Sequence, residues 1–431
     1  MDTGLKAKMS PSLALLTIVN LTPAEHNVII VNENISRVDF DYPADLVAIT
    51  VTVDVLNRAA QIAGAFRKRG VSVVAGGIHI TADPENALPF FDAVCVGRDE
   101  TTWPKLLGDI AEGRLRKIYY DDHNDPTICA PNYHVPDAKK YIYNNIVSAS
   151  RGCPFRCAFC YNSCNKATPY LNRPAADVLR DIEAIHRKHI LFVDDNFIGN
   201  PQWTREFLTA LLPYRVKWSA AVSANILDYP ELLDLMEQSG CQSLFIGFET
   251  INQQSLDAVH KRQNHTARYE DIVRELHRRG VMVNASIVFG LPGDGPDVFR
   301  NTLDWMMAHK VETVTAHILT PYPGSALYRD MLAKNLITDF DLSHYNTAHV
   351  VFRPEKMSAE QLYQGYIRFY KELYSFKNIL KRIPDNRRQR IPYLCFNLLY
   401  RKYGGFTELL SRVIPLELLG QLAARISYKQ V

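Results

Sequence analysis

The sequence predicts an α/β protein in three parts: a small doubly wound α/β domain, a run of six βα units forming a partial (β/α)6 barrel, and a helical C-terminal region. Three observations predict this. Short β-branched runs alternate with amphipathic helices along most of the 431 residues, a pattern that builds parallel sheets covered by helices. The alternation breaks once, in a stretch rich in Asp, Asn, Tyr and Pro over residues 118–145. After the break come six strand candidates, short of the eight that close a full barrel.

In the first part, Val28–Val31, Leu46–Val51, Val71–Ala75 and Ala93–Val96 suit buried parallel strands. Leu56–Arg69 is expected to be an amphipathic helix with Ala59, Ala60, Ala63 and Phe66 on one side. A second helix is expected over Thr101–Glu112, with Thr101 or Thr102 as N-cap and Gly113 just past its end. Together they define a domain over residues 1–115, and 116–145 is expected to be a linker. Over 146–355 the strand candidates are Ile146–Ala149, Ile190–Val193, Trp218–Val222, Ser243–Phe248, Val283–Phe289 and Thr313–Leu319. Helices such as Ala175–Arg187, Pro201–Leu212, Arg268–Arg279 and Pro296–His309 separate them. Residues 356–431 are expected to be helical.

A composition of 47% hydrophobic and 22% charged residues is that of a globular protein, and a net charge of +3 is too mild to argue for nucleic acid. No charge-free apolar run approaches the roughly 18 to 20 residues of a membrane-spanning helix. Met1–Met9 lacks the apolar core of a signal peptide, so a cytoplasmic protein is expected. The basic charge is concentrated in residues 382–431, nine Lys/Arg against three Asp/Glu. There Leu394–Tyr400, Phe406–Leu410 and Val413–Leu419 are apolar, interrupted by Arg401, Lys402, Arg412 and Arg425. Such a segment either caps the barrel or makes a peripheral contact with an anionic membrane surface.

Four of the eight cysteines crowd into Cys153–Cys164, which points to metal chemistry in a reducing compartment. The segment Ser150-Arg-Gly-Cys153-Pro-Phe-Arg-Cys157-Ala-Phe159-Cys160-Tyr follows directly on the first barrel strand. Thiolates are the usual ligands of iron–sulfur clusters, and three of them leave one iron of a cubane open to a small molecule. A structural zinc site with Cys164 as fourth ligand is the competing reading. Cys95, Cys129, Cys241 and Cys395 are expected to be small core residues.

The other candidates fall at strand ends, where barrel chemistry belongs. Asp194, Asp195 and Asn196 close the second strand and suit an ammonium group and ribose hydroxyls. Ser223 and Asn225 close the third strand. At the fourth, Gly247 permits close backbone approach, and Glu249 offers acceptors or forms a structural ion pair. The turns Gly290–Asp294 and Thr320–Gly324 follow the fifth and sixth strands, with Tyr322 a further candidate. Gly76 and Gly77 end a strand of the first domain and would admit a flat ring or nucleotide tail. His79, His260, His265 and His317 are expected to satisfy local hydrogen bonds.

The cysteine spacing, with Phe159 before the last cysteine, resembles the C-x3-C-x2-C signature of the radical S-adenosylmethionine (AdoMet) superfamily. The resemblance implies a [4Fe–4S] cluster on Cys153, Cys157 and Cys160 that binds AdoMet. It further implies one-electron cleavage to methionine and a 5′-deoxyadenosyl radical, fed by a donor such as flavodoxin or ferredoxin. Val31–Asn34, Gly76–His79, Val96–Glu100 and Phe192–Asn196 resemble the branch with a flavodoxin-like, cobalamin-binding-type N-terminal domain, which includes magnesium-protoporphyrin cyclases and C-methyltransferases. That implies cobalamin as a further cofactor, and methyl transfer to an unactivated carbon of a small, lipophilic substrate. Without cobalamin it implies oxidation, cyclisation or carbon–carbon bond formation on a lipid, tetrapyrrole or secondary metabolite. The chain lacks the Asp-x-His-x-x-Gly motif that ligates cobalt from below, since Asp121-Asp-His123 has no glycine three positions on. A non-enzymatic iron–sulfur or zinc protein is the rival from another class.

Overall fold

A computed structural model describes residues 10–122, 127–134, 141, 144–164 and 170–399. His123 and the basic apolar patches beyond residue 399 lie outside the described residues. The chain forms two compact units: residues 1–140, 156–171 and 320–351 make one, and 141–155, 172–319 and 352–431 the other.

The first unit is built on four parallel strands that run in chain order: β1 (Leu46–Thr50), β2 (Ser72–Gly76), β3 (Ala93–Val96) and β4 (Ile118–Tyr120). Side chains alternate across a strand, so a sheet with two buried faces needs apolar residues at every position. Val73, Ala75, Val94 and Val96 pack with Leu56, Ala59, Ile62, Ala63 and Phe66 of the helix Leu56–Lys68. Val74, Ala93 and Cys95 pack the other way, with Trp103 and Leu106 of the helix Asp99–Ala111 and with Ile18 and Leu21 of the helix Leu13–Leu21. Helices therefore cover both faces of the sheet.

Three expectations for this unit need correction. Val28–Val31 is not a strand, and Val28, Ile29 and Val31 are exposed. β-Branched composition favours a strand only where a neighbouring strand and a core receive it. The strand β4 lies inside the stretch read as linker; its three residues, with Tyr119 alone buried, are too few to show a period. The second helix starts at Asp99, ahead of the expected threonines. The hydroxyls of Thr101 and Thr102 instead donate to the Arg98 carbonyl, 3.2 and 2.9 Å away, while Asp99 and Glu100 place negative charge in the first turn.

The strand end at Gly76–Gly77 is backbone-tight. Gly77 has φ +105°, and a Cβ there would lie 2.8 Å from the Val51 nitrogen and 2.9 Å from its oxygen. At Gly76 the nearest atom to an added Cβ is 3.8 Å away, ordinary contact. Gly77→Ala is expected to cost ~2 kcal/mol or more in urea unfolding, and Gly76→Ala less than about 1 kcal/mol.

The second unit carries six parallel strands in the order β5 (Ile146–Val147), β6 (His189–Phe192), β7 (Lys217–Ser223), β8 (Cys241–Glu249), β9 (Met282–Phe289) and β10 (Thr313–Ile318). Between them run the helices Ala175–Ile185, Pro201–Leu211, Pro230–Gln238, Tyr269–Arg278 and Val298–Ala308. This is the repeated βα pattern expected. The first strand is shorter than read, because beyond Val147 the backbone turns to a side chain: the Ala149 N–H donates to Asp194. At the far edge, the hydroxyls of Tyr370 and Tyr374 bond both the N–H and the carbonyl of Ala316 and of Val314 on β10, at 2.7 to 3.0 Å. The helix Ala359–Leu373 and the residue that ends it thus occupy an edge that would otherwise invite a foreign strand. No helix among the described residues is long and apolar enough to cross a membrane.

Candidate active site

The strand ends of the second unit are tied to one another by polar side chains. Asp194, buried just after β6, accepts from the backbone N–H of Ala149 and Ser150 and from the Ser150 hydroxyl. Burial pushes its carboxyl up to about 6, against the lowering pull of those three donors. Asp194 therefore clasps the start of the cysteine loop. Asp195 is exposed beside it.

Asn196 is buried and joins β6 to β7. Its Oδ1 accepts from the Ser223 N–H at 3.2 Å, and its Nδ2 donates to the Ser223 hydroxyl at 3.2 Å. That hydroxyl in turn donates to the side-chain oxygen of Asn225. Asn196, Ser223 and Asn225 thus form one hydrogen-bonded row.

Glu249 ends β8 with φ +65° and is ion-paired with Lys261, both nearly excluded from solvent. The Ser286 hydroxyl on β9 donates to Glu249 Oε2 at 3.3 Å. A Cβ on Gly247 would stand 2.7 Å from Glu249 Oε1 and 2.9 Å from Lys261 Nζ, so glycine leaves the room the pair occupies. Of the two readings of Glu249, the ion pair is the one present. Asn264 secures this strand end, donating to the carbonyls of Gly247 and Phe248 at 2.8 and 3.1 Å.

Sequence reading missed Lys261, which lies in a stretch without periodicity and whose partner is 12 residues away. It also missed Arg173, fully buried, whose backbone N–H donates to the Ala149 carbonyl and whose Nη1 donates to Ser148 O and pairs with Asp181. Asp294 was read only as part of a turn. Its buried carboxylate accepts from the N–H groups of Gly290 and Leu291 at 3.0 Å and from Ser255 at 3.3 Å.

Burial holds Asp294 near 6, above the ordinary 3.8. A carboxyl with a raised folded-state pKa stabilises the fold fully below its unfolded value and loses that contribution as pH rises through the folded one. Between about pH 4 and 6, the protein should lose up to ~1.4 kcal/mol of stability per pH unit relative to Asp294→Asn. Urea unfolding of both proteins across that range checks it, and parallel profiles would contradict it.

None of the three motif cysteines is in a disulfide; Cys157 is buried, Cys153 and Cys160 are half-buried, and Phe159 is half-buried between the last two. Among the described residues, no three Cys, His, Asp or Glu side chains converge on one ion-sized point. A single zinc demands that, with each sulfur about 2.3 Å from one centre. A cubane, by contrast, takes each thiolate on a separate iron and needs no such convergence. Cys164 directs its sulfur to the carbonyls of Cys160 and Pro323, and burial pushes its thiol up to about 11.

In the first unit, Tyr161, the residue after Cys160, stacks on Tyr322 with ring centroids 4.3 Å apart. Its hydroxyl lies 3.1 Å from Nδ1 of His79, so that histidine's bond spans 82 positions and is not local. Arg98, read as part of a family pattern, is buried with both Nε and Nη2 on Asp121, at 2.7 and 3.0 Å. That pair joins the end of β3 to the end of β4.

The parallel six-stranded sheet, with a triad of spaced thiols following its first strand, defines a radical AdoMet enzyme. Residues 147–306 match the Radical SAM superfamily. The chain is 30% identical over 352 residues to bacteriochlorophyllide d C-12(1)-methyltransferase of Chlorobaculum tepidum, covering 79% of this chain and 76% of that one. It is 27% identical over 413 residues to bacteriochlorophyllide d C-8(2)-methyltransferase of the same organism, covering 91% of each. In structure it resembles OxsB, a cobalamin-dependent S-adenosylmethionine radical enzyme solved with aqua-cobalamin and S-adenosylmethionine, at TM-score 0.68 and 13% identity, over 99% of this chain and 76% of that one. The chain belongs to the radical SAM superfamily and shares its fold with OxsB.

Proposed function

We propose that this enzyme methylates an unactivated carbon of a tetrapyrrole of the bacteriochlorophyllide class, using cobalamin as methyl carrier and AdoMet as radical source. The observation that carries the reading is its likeness, over most of both chains, to two enzymes named for methyl transfer to bacteriochlorophyllide d. When bound, the cluster and AdoMet supply a carbon radical that removes one hydrogen atom, and cobalamin supplies the methyl group that replaces it.

The chain's own part is to bind, orient and keep water out. Cys153, Cys157 and Cys160 hold the cluster, and Phe159 packs beside it. Asp195, exposed at the end of β6, takes the methionyl ammonium; Asp194 holds the loop. The row Asn196, Ser223 and Asn225 receives ribose hydroxyls, with Gly247 giving backbone room and the Glu249–Lys261 pair fixing the strand end. Gly76 and Gly77 border cobalamin in the domain of residues 1–115. A flavodoxin or ferredoxin delivers the electron.

The test is an anaerobic reaction of reconstituted enzyme with cobalamin, reductant, trideuteromethyl-AdoMet and bacteriochlorophyllide d. Product carrying one trideuteromethyl group in place of a hydrogen is expected. Formation of 5′-deoxyadenosine with a product that has lost hydrogens and gained no label would replace methylation by oxidation or cyclisation.

A further inference from the structure

Among the described residues of the first unit, His79 carries a buried polar atom that its known contacts do not satisfy. His79 is completely buried, and its Nε2 has no hydrogen-bond partner among the described residues. Its position is fixed from every other side. Its backbone N–H donates to Val51 O beyond β1, at 3.2 Å, and Gly77 beside it is held against the same residue. Its Nδ1 meets the Tyr161 hydroxyl, whose ring is stacked on Tyr322. A neutral imidazole has one donor nitrogen and one acceptor nitrogen. With Nδ1 accepting from the phenol, Nε2 carries the proton and is a donor.

A buried donor without an acceptor is costly and rare, and asks what it is kept for. His79 follows the carboxyl end of β2, and open α/β sheets bind their ligands outside the carboxyl ends of their strands. We infer that His79 is a binding residue for cobalamin, donating from Nε2 to an acceptor on that cofactor, an amide carbonyl or phosphate oxygen, while Nδ1 holds Tyr161. The inference deepens the cobalamin reading above and rests on it. Its consequence is that one imidazole touches both the cofactor of the α/β unit and the residue following the third cysteine. The acceptor class follows from the donor's chemistry: such groups are frequent on a corrin rim and nucleotide tail.

Asparagine reaches about as far as Nδ1 and glutamine about as far as Nε2, so the two amides separate the two bonds. Cobalamin-free protein is titrated with hydroxocobalamin, and binding is read from the visible spectrum without turnover. His79→Asn is expected to weaken binding roughly tenfold, the loss of one buried hydrogen bond. His79→Gln should stay within about threefold of wild type, and so should Tyr161→Phe, which removes only the bond at Nδ1. Iron and sulfide content and circular dichroism report whether each variant is folded. Should His79→Asn fail to fold, a tenfold gap between His79→Ala and His79→Gln supports the inference equally. Equal affinity in wild type, His79→Asn and His79→Ala would overturn the inference and assign Nε2 to a buried water. Wild type that binds no cobalamin at all would instead overturn the cobalamin reading, so the two failures are distinguishable.

Discussion

Replacing Cys153, Cys157 or Cys160 singly by alanine is expected to abolish cluster assembly and AdoMet cleavage, by at least ~100-fold in 5′-deoxyadenosine formed. On the proposed cluster each thiolate would hold its own iron, so losing one leaves a corner without its ligand. Cys164→Ala should retain the cluster, because that sulfur is engaged with the Cys160 and Pro323 carbonyls and its burial favours the protonated thiol. Iron and sulfide content, together with the low-temperature electron paramagnetic resonance of the reduced protein, check both halves. Loss of the cluster in Cys164→Ala would reopen the zinc-type, four-thiol reading.

Lys261→Met is expected to produce the largest loss of stability in the second unit, about 3–5 kcal/mol in urea unfolding. The reason is not the strength of the pair but what its breakage leaves behind. Glu249 would stay buried with a charge, and the Ser286 hydroxyl 3.3 Å away cannot replace an ammonium. The double variant Glu249→Gln/Lys261→Met removes both charges and should recover most of the loss. A single variant as stable as the double one would mean that the pair is solvated and its partners independent. Because Gly247 leaves space for this pair on the strand end proposed for ribose, the single variant should also raise the KM for AdoMet more than it lowers kcat.

How much of this was legible in the sequence depended on whether the signal was periodic or depended on distant partners. The six βα units were readable because each strand is a buried apolar run and each helix carries one apolar face, as Leu244, Ile246 and Phe248 on β8 illustrate. The same rule misled at Val28–Val31, where an apolar run meets no sheet, and failed at β4, where three residues carry no period. The cysteine loop was legible as a family signature because its whole spacing lies within one short segment. The polar strand ends were legible as positions but not as roles. Nothing local distinguishes a carboxylate that meets a ligand from one that, like Asp194, accepts from Ala149 and Ser150 some 45 positions earlier. Lys261, Arg173 and the His79–Tyr161 bond were invisible for the same reason: each acquires its meaning from a partner brought near only by folding.

Anaerobically reconstituted protein, reduced with dithionite and supplied with AdoMet alone, provides the sharpest trial of the cluster. Methionine and 5′-deoxyadenosine should accumulate together, in equal amounts and only with Cys153, Cys157 and Cys160 intact. Protein that carries a full complement of iron and sulfide yet forms neither product above the enzyme-free background would contradict the assignment of this chain to AdoMet radical chemistry.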